Sequence, residues 1–126
     1  MTTQLNANPR AEENAVITKA TLRAAERLDV TARALSMIIG VSEATVSRMR
    51  KNEFLLDKGS KPFELAVLFI RLFRSLDAIT GGDETVARTW LRNVNTALGG
   101  KPLEKILTVS GLVDVIAYLD ARRALV

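Results

Sequence analysis

The stretch Gly40 to Arg50, "GVSEATVSRMR", decides how the first half of this chain is read. Gly40 follows an apolar segment and suits a left-handed helix C-cap. Ser42 is an N-cap residue, and Glu43 in the next turn complements the helix dipole. A short helix therefore runs to Arg50, joined to its predecessor by a turn of a few residues. That predecessor is predicted from Thr31, an N-cap, and from Leu35, Ile38 and Ile39 at helical spacing before Gly40.

Two helices crossing over so short a turn need a glycine with positive φ, a small residue at closest approach and apolar residues facing a third helix. With Gly40 as the turn, Ser36 is the small residue, and Leu35, Ile39, Val41, Val46 and Met49 face inward. This is the register of a helix-turn-helix. It leaves Ser42, Glu43, Ala44, Ser47, Arg48 and Lys51 facing outward, with Thr45 and Arg50 at the edge of that face. Arg48 is suited to a bidentate contact with guanine, and Ser42, Ser47 and Lys51 to phosphates or base edges. Thr45 and Arg50 are expected on backbone phosphate. "SEATVSR" also resembles the recognition helices of many phage-type repressors. The bland alternative is a solvated amphipathic helix with arginines for solubility, but it does not ask for glycine, small residue and core positions in one register. Glu43 opposes phosphate, so one copy binds weakly, and operator-level affinity calls for a dimer on two half-sites.

Working outward, residues 1–13 are polar, contain Pro9 and read as a mobile arm. Ile17, Ala20, Ala24 and Leu28 mark a first helix from Ala15 to Leu28. Asn52 to Lys61 is a connector. Pro62 opens a fourth helix, "PFELAVLFIRLFRSLDAI", apolar around most of its circumference, which must bury more than one side and suggests a homodimer surface. "TGGD" ends it, and Asp83 caps a fifth helix with Val86, Trp90 and Leu91; a lone tryptophan at this spacing reads first as core. Gly99 and Gly100 reverse the chain and return a short sixth helix, opened by Pro102, against the fourth. Ser110 caps a last helix with Leu112, Ile116 and Leu119. No segment alternates with period two, so the fold is all-α, with an arm (1–13), a helix-turn-helix domain (14–60) and a second helical domain (61–126).

Composition narrows the function. The chain has 126 residues, 48% of them hydrophobic, and a net charge of +4. Each half, split at residue 60, holds nine basic and seven acidic residues, so charge alone locates no site. There is no cysteine and no histidine, which removes disulfides, thiolate metal sites and the commonest neutral-pH acid–base group. The polar N-terminus is no signal peptide, and "LAVLFI" is too short to cross a bilayer, so a cytoplasmic protein without membrane contact is expected. Enzymatic activity is not expected. Asp83 and Glu84 sit where helix caps belong, Asp114 and Asp120 do not share a helical face, and "GGDET" lacks the lysine and strand of a phosphate loop. No cofactor is implied.

The second half carries a more specific signal. Gly82 and Asp83 before a helix, "WL" at Trp90 and Leu91, "NTALGG" from Asn95 to Gly100, Pro102 and a final "YLDARR" together resemble the toxin-binding C-terminal domain of the Xre/MbcA/ParS antitoxins. Val94 stands where such relatives commonly have proline, which leaves the turn less rigid. "GVSEATVSRMR" fits the Xre-like helix-turn-helix of that family. The resemblance implies a type II antitoxin. It would neutralise a RES-domain, NAD-consuming toxin by covering its active site, bind its operator as an autorepressor, and assemble as a homodimer and as a hetero-oligomer with the toxin.

In that role the tail is the candidate toxin-binding segment: Tyr118, Asp120, Ala121, Arg122, Arg123, Ala124, Leu125 and Val126. Arg122 and Arg123 also complement the helix dipole, which suffices as a structural explanation. The α-carboxylate of Val126 is a candidate plug for an arginine-lined, pyrophosphate-binding cleft. Two rivals stand beside this reading: a free-standing transcriptional regulator without a toxin, and a toxin binder whose helix-turn-helix no longer binds DNA.

Overall fold

The computed structural model of the protein describes residues 8–124. Among these residues there are seven helices: α1 (Pro9–Arg27), α2 (Ala32–Ile39), α3 (Glu43–Arg50), α4 (Lys61–Ile79), α5 (Glu84–Arg92), α6 (Pro102–Lys105) and α7 (Val109–Arg123). The described residues form no strand, only an isolated bridge between Asn95 and Gly100. The all-α expectation holds.

The caps explain most boundaries. Thr31, Ser42, Ser60 and Asp83 each accept a hydrogen bond from the backbone N–H three residues on. Two starts differ from the sequence reading. Helix α1 begins at Pro9, because the Asn8 side chain accepts from Arg10 N and Ala11 N and Pro9 needs no donor in the first turn. Residues 9–13 are therefore helix, not arm. Helix α7 is capped by Thr108, whose Oγ1 accepts from Gly111 N at 3.1 Å, and Ser110 lies inside its first turn.

Helix α4 is the spine. It packs most extensively on α7, then on α1 and α2. Phe69, Leu72 and Leu76 are fully buried along it, joined by Ala66, Leu65 and Phe63. The apolar circumference that suggested a second copy is thus covered largely within the chain; Val67 remains 40% exposed. Helix α6 packs on α5 and α7 rather than returning to α4 as expected. Gly99 does turn the chain there in the left-handed region, at φ 77°, whereas Gly100 has no positive φ.

The connector is fastened to α1. Thr18 Oγ1 accepts from Leu56 N at 2.9 Å, and Asn14 Oδ1 accepts from Lys58 N at 2.8 Å. The end of α1 is tied to the second half of the chain by arginines of α5. Arg88 Nε donates to Arg27 O at 2.8 Å, and Arg92 Nη2 donates to Leu28 O and Asp29 O at 3.2 and 2.7 Å. These carbonyls belong to the C-terminal end of α1, where cationic donors are most favourable.

Candidate nucleic-acid and partner interfaces

The turn between α2 and α3 has the required geometry. Gly40 adopts φ 75°, and its N–H and that of Val41 both donate to Ser36 O, at 2.9 and 3.0 Å. Leu35, Ile39, Val46 and Met49 are buried, Ser36 is buried at the crossing, and Val41 is half-buried. Helix α3 is therefore pinned by its inner face.

Its outer face carries Ser42, Glu43, Ala44, Ser47, Arg48 and Lys51, all exposed. Ala44, Ser47, Arg48 and Lys51 follow the i, i+3, i+4, i+7 pattern of a single stripe. With its side chains a helix is about 10–12 Å across, which a major groove about 12 Å wide admits. Two expected members are placed elsewhere. Thr45 is only 8% exposed; its Oγ1 lies 2.9 Å from Ser42 Oγ and accepts from Arg48 Nη2 at 3.1 Å. It orients Arg48 and is not free to meet phosphate. Arg50 is exposed but lines a cleft on the α1 side with Lys19 and Leu22, away from the stripe. Phe54, which the sequence reading passed over, lies beneath the Arg48 guanidinium, 5.7 Å from carbon to ring centroid. Its position follows from Asn52, whose left-handed φ of 60° folds the chain back after α3.

The tail of α7 divides into two sides. Asp120 is half-buried, paired with Arg71 and accepting from Ser75 Oγ at 3.0 Å, so it clamps α7 to α4 and is not a free contact. Arg123, exposed, reaches Ser75 Oγ at 3.5 Å on that same side. Tyr118 faces α5 instead. Its ring stacks on Trp90 at 6.2 Å, and its hydroxyl accepts from Arg122 Nε and Nη2 at 3.0 and 2.6 Å. Hydrogen bonding from Asn95, and then from Arg122, holds this hydroxyl below the ordinary tyrosine range. Ala121 and Ala124 are exposed. Leu125 and Val126, and with them the suggested carboxylate plug, lie outside the described residues.

Further residues of this half were not singled out as contacts from the sequence. Trp90 is half-buried, not plain core, and with Val86 it lines an open depression of about 320 Å³ on α5. Val86, Val94, Val109 and Val113 are 49%, 68%, 56% and 49% exposed. Val109, Val113, Ala117 and Ala121 recur at every fourth position of α7, all exposed. Exposed valines within helices were the available signal; only the packing of α7 on α4 shows which side stays open. Among the described residues, no group of three acidic, histidine or cysteine side chains is placed to hold a metal ion, and no helix is long and apolar enough to cross a membrane.

Two family models match the chain. The antitoxin Xre-like helix-turn-helix domain matches residues 8–71, and the antitoxin Xre/MbcA/ParS C-terminal toxin-binding domain matches residues 75–124. No curated protein matches it.

Proposed function

The chain belongs to the Xre-type antitoxins, a helix-turn-helix domain followed by a toxin-binding domain, and from that premise we propose that it neutralises a RES-domain toxin by direct contact and represses its own operon. The toxin belongs to a class that consumes NAD⁺. The antitoxin silences it by covering the active-site cleft, without catalysis or a cofactor of its own. A homodimer presents two copies of α3 to two half-sites of an operator, and the same copies carry toxin in a hetero-oligomer.

Arg48 is the reader. Its support on Thr45 and Phe54 carries this assignment, because a guanidinium held in place loses little side-chain entropy when it meets guanine. Ser42, Glu43, Ala44, Ser47 and Lys51 share its face, and Arg50 approaches a flanking phosphate from the α1 side. Toward the toxin, Tyr118, Ala121, Arg122, Arg123 and Ala124 form the contact, extended by Trp90, Val86 and the α7 row through Val109 and Val113. Exposed apolar side chains in the matched toxin-binding segment support this choice, since an obligate partner covers such surface.

The test is co-expression with the product of the adjacent reading frame. Growth and cellular NAD⁺ should be preserved by the wild type, and lost with Val113→Glu and Tyr118→Ala together. Retention of both by that double variant would move the toxin contact elsewhere. On the operon's promoter fragment, Arg48→Ala should weaken binding by about 1–3 kcal/mol. An unchanged mobility shift would leave Arg48 without a reading role.

A further inference from the structure

A further surface lies apart from the outer stripe of α3 and shares only Arg123 with the proposed toxin contact. Helices α1 and α4 enclose two adjoining depressions of about 430 and 400 Å³ that share Val16, Ala20, Ile70 and Arg74. The floor is apolar: Val16 and Val67 are 64% and 40% exposed, and Phe73 is half-buried beside them. The rim is cationic throughout. Lys19, Arg23 and Arg27 come from α1, Arg71 and Arg74 from α4, and Arg123 from α7. No acidic side chain among the described residues lines either depression.

Two of the six cations are paired, Arg27 with Glu84 at 3.8 Å and Arg71 with Asp120. Lys19, Arg23 and Arg74 take part in no ion pair among the described residues. Their charge is thus gathered beside exposed apolar carbon; on the far side of Lys19 and Arg23 lie Glu26 and Asp29, which form no ion pair with them among the described residues.

We propose that this groove docks an acidic amphipathic helix of a partner protein, its apolar face on Val16, Val67 and Ile70 and its carboxylates on Lys19, Arg23 and Arg74. A second copy of the chain is disfavoured, because a two-fold contact would set cation against cation. Nucleic acid explains the rim but leaves the apolar floor without a purpose. A helix satisfies its own backbone groups while it fills a groove between two others. From Val16 to Arg27, α1 runs about 16 Å, enough to meet about three turns. The groove adjoins the α3 side but is largely distinct from it: the cleft with α3 takes Ala15, Thr18 and Leu22 from α1, which the groove does not use, and shares only Lys19 with it.

The probe is a fluorescein-labelled synthetic peptide with leucines at helical spacing flanked by glutamates, and a twin in which lysines replace the glutamates. Anisotropy titration of the full chain should show the acidic peptide bound at least about tenfold tighter than the twin, with affinity falling as salt rises. Val16→Glu and, separately, Arg74→Glu should each weaken it by about tenfold or more. Both residues are exposed, and an unchanged promoter shift and helical circular dichroism serve as the folding control. Equal binding of the two peptides, or variants that bind like wild type, would overturn the proposal. So would duplex DNA displacing the peptide, which assigns the groove to nucleic acid, or self-association abolished by Val16→Glu, which assigns it to a second copy.

Discussion

Arg48 rests on two supports, the Thr45 hydroxyl and the Phe54 ring, and both bear on how it acts. Thr45→Val keeps the buried shape and removes the hydroxyl, with its hydrogen bonds to Arg48 and to Ser42 Oγ. Promoter affinity should fall by about 1 kcal/mol, with little change in melting temperature, as read by mobility shift and circular dichroism. A loss as large as that of Arg48→Ala would mean that Thr45 itself meets the DNA. Gly111 makes a different demand. A Cβ there would sit 1.8 Å from the Lys105 carbonyl oxygen, so Gly111→Ala must push α7 off the end of α6. We expect a cost of about 3 kcal/mol in urea unfolding; a cost below 1 kcal/mol, at the bottom of the overpacking range, would show that this approach relaxes freely. Arg48 was legible in the sequence because helical spacing alone puts it outward. The burial of Thr45 and the arrival of Phe54 were not, since one depends on how deeply α3 seats and the other on a left-handed Asn52.

At the scale of elements, caps were the legible part. Thr31, Ser42 and Asp83 do what their types suggest. Helix α1 was misread at its start although Asn8-Pro9 is itself a start signal, because the polar residues after it lack an apolar stripe. The structure supplies what the pattern lacks: Arg10 Nε and Nη2 each donate to Asp57 at 3.1 Å, Asn14 Nδ2 donates to Asp57 at 3.1 Å, and Lys58 pairs with Glu13 at 2.8 Å. That first turn is held by contacts some 45 residues away in the chain, which no local pattern displays. The Arg10 hydrogen bond, and after it that of Asn14, holds the Asp57 carboxyl below its ordinary 3.8. A carboxyl with a lowered folded pKa stabilises above its unfolded value, and that stabilisation disappears as pH falls through the folded value. Amide exchange at Arg10 to Asn14 should therefore stay protected near neutrality and at pH 5, and rise below pH 3.8 before the core amides of α4 respond. Asp57→Asn should remove the acid-dependent step. Its persistence in that variant would assign the step to another carboxylate.

For the whole molecule, the question is whether two domains mean two folding units. The two matched segments meet inside α4, between residues 71 and 75, so the boundary falls in the middle of a buried helix. The surplus apolar circumference of α4 was visible in the sequence, but its use was not. Hydrophobic pattern records that a face must be covered, not whether α7 or a second copy covers it. With α7 on one side, α1 and α2 on others, and the α5 arginines closing the end of α1, neither half can unfold without exposing the other's core. One cooperative transition is expected. Trp90, the sole tryptophan, reports on the second half, while far-UV circular dichroism reports on all seven helices of the described residues. The two signals should coincide in urea. Leu72→Ala, at a fully buried position between the matched segments, should cost about 2–5 kcal/mol and shift both curves together. If the Trp90 curve moved while the promoter-binding activity kept its wild-type midpoint, the halves would be independent, and toxin capture by one could not be felt by the other through the fold.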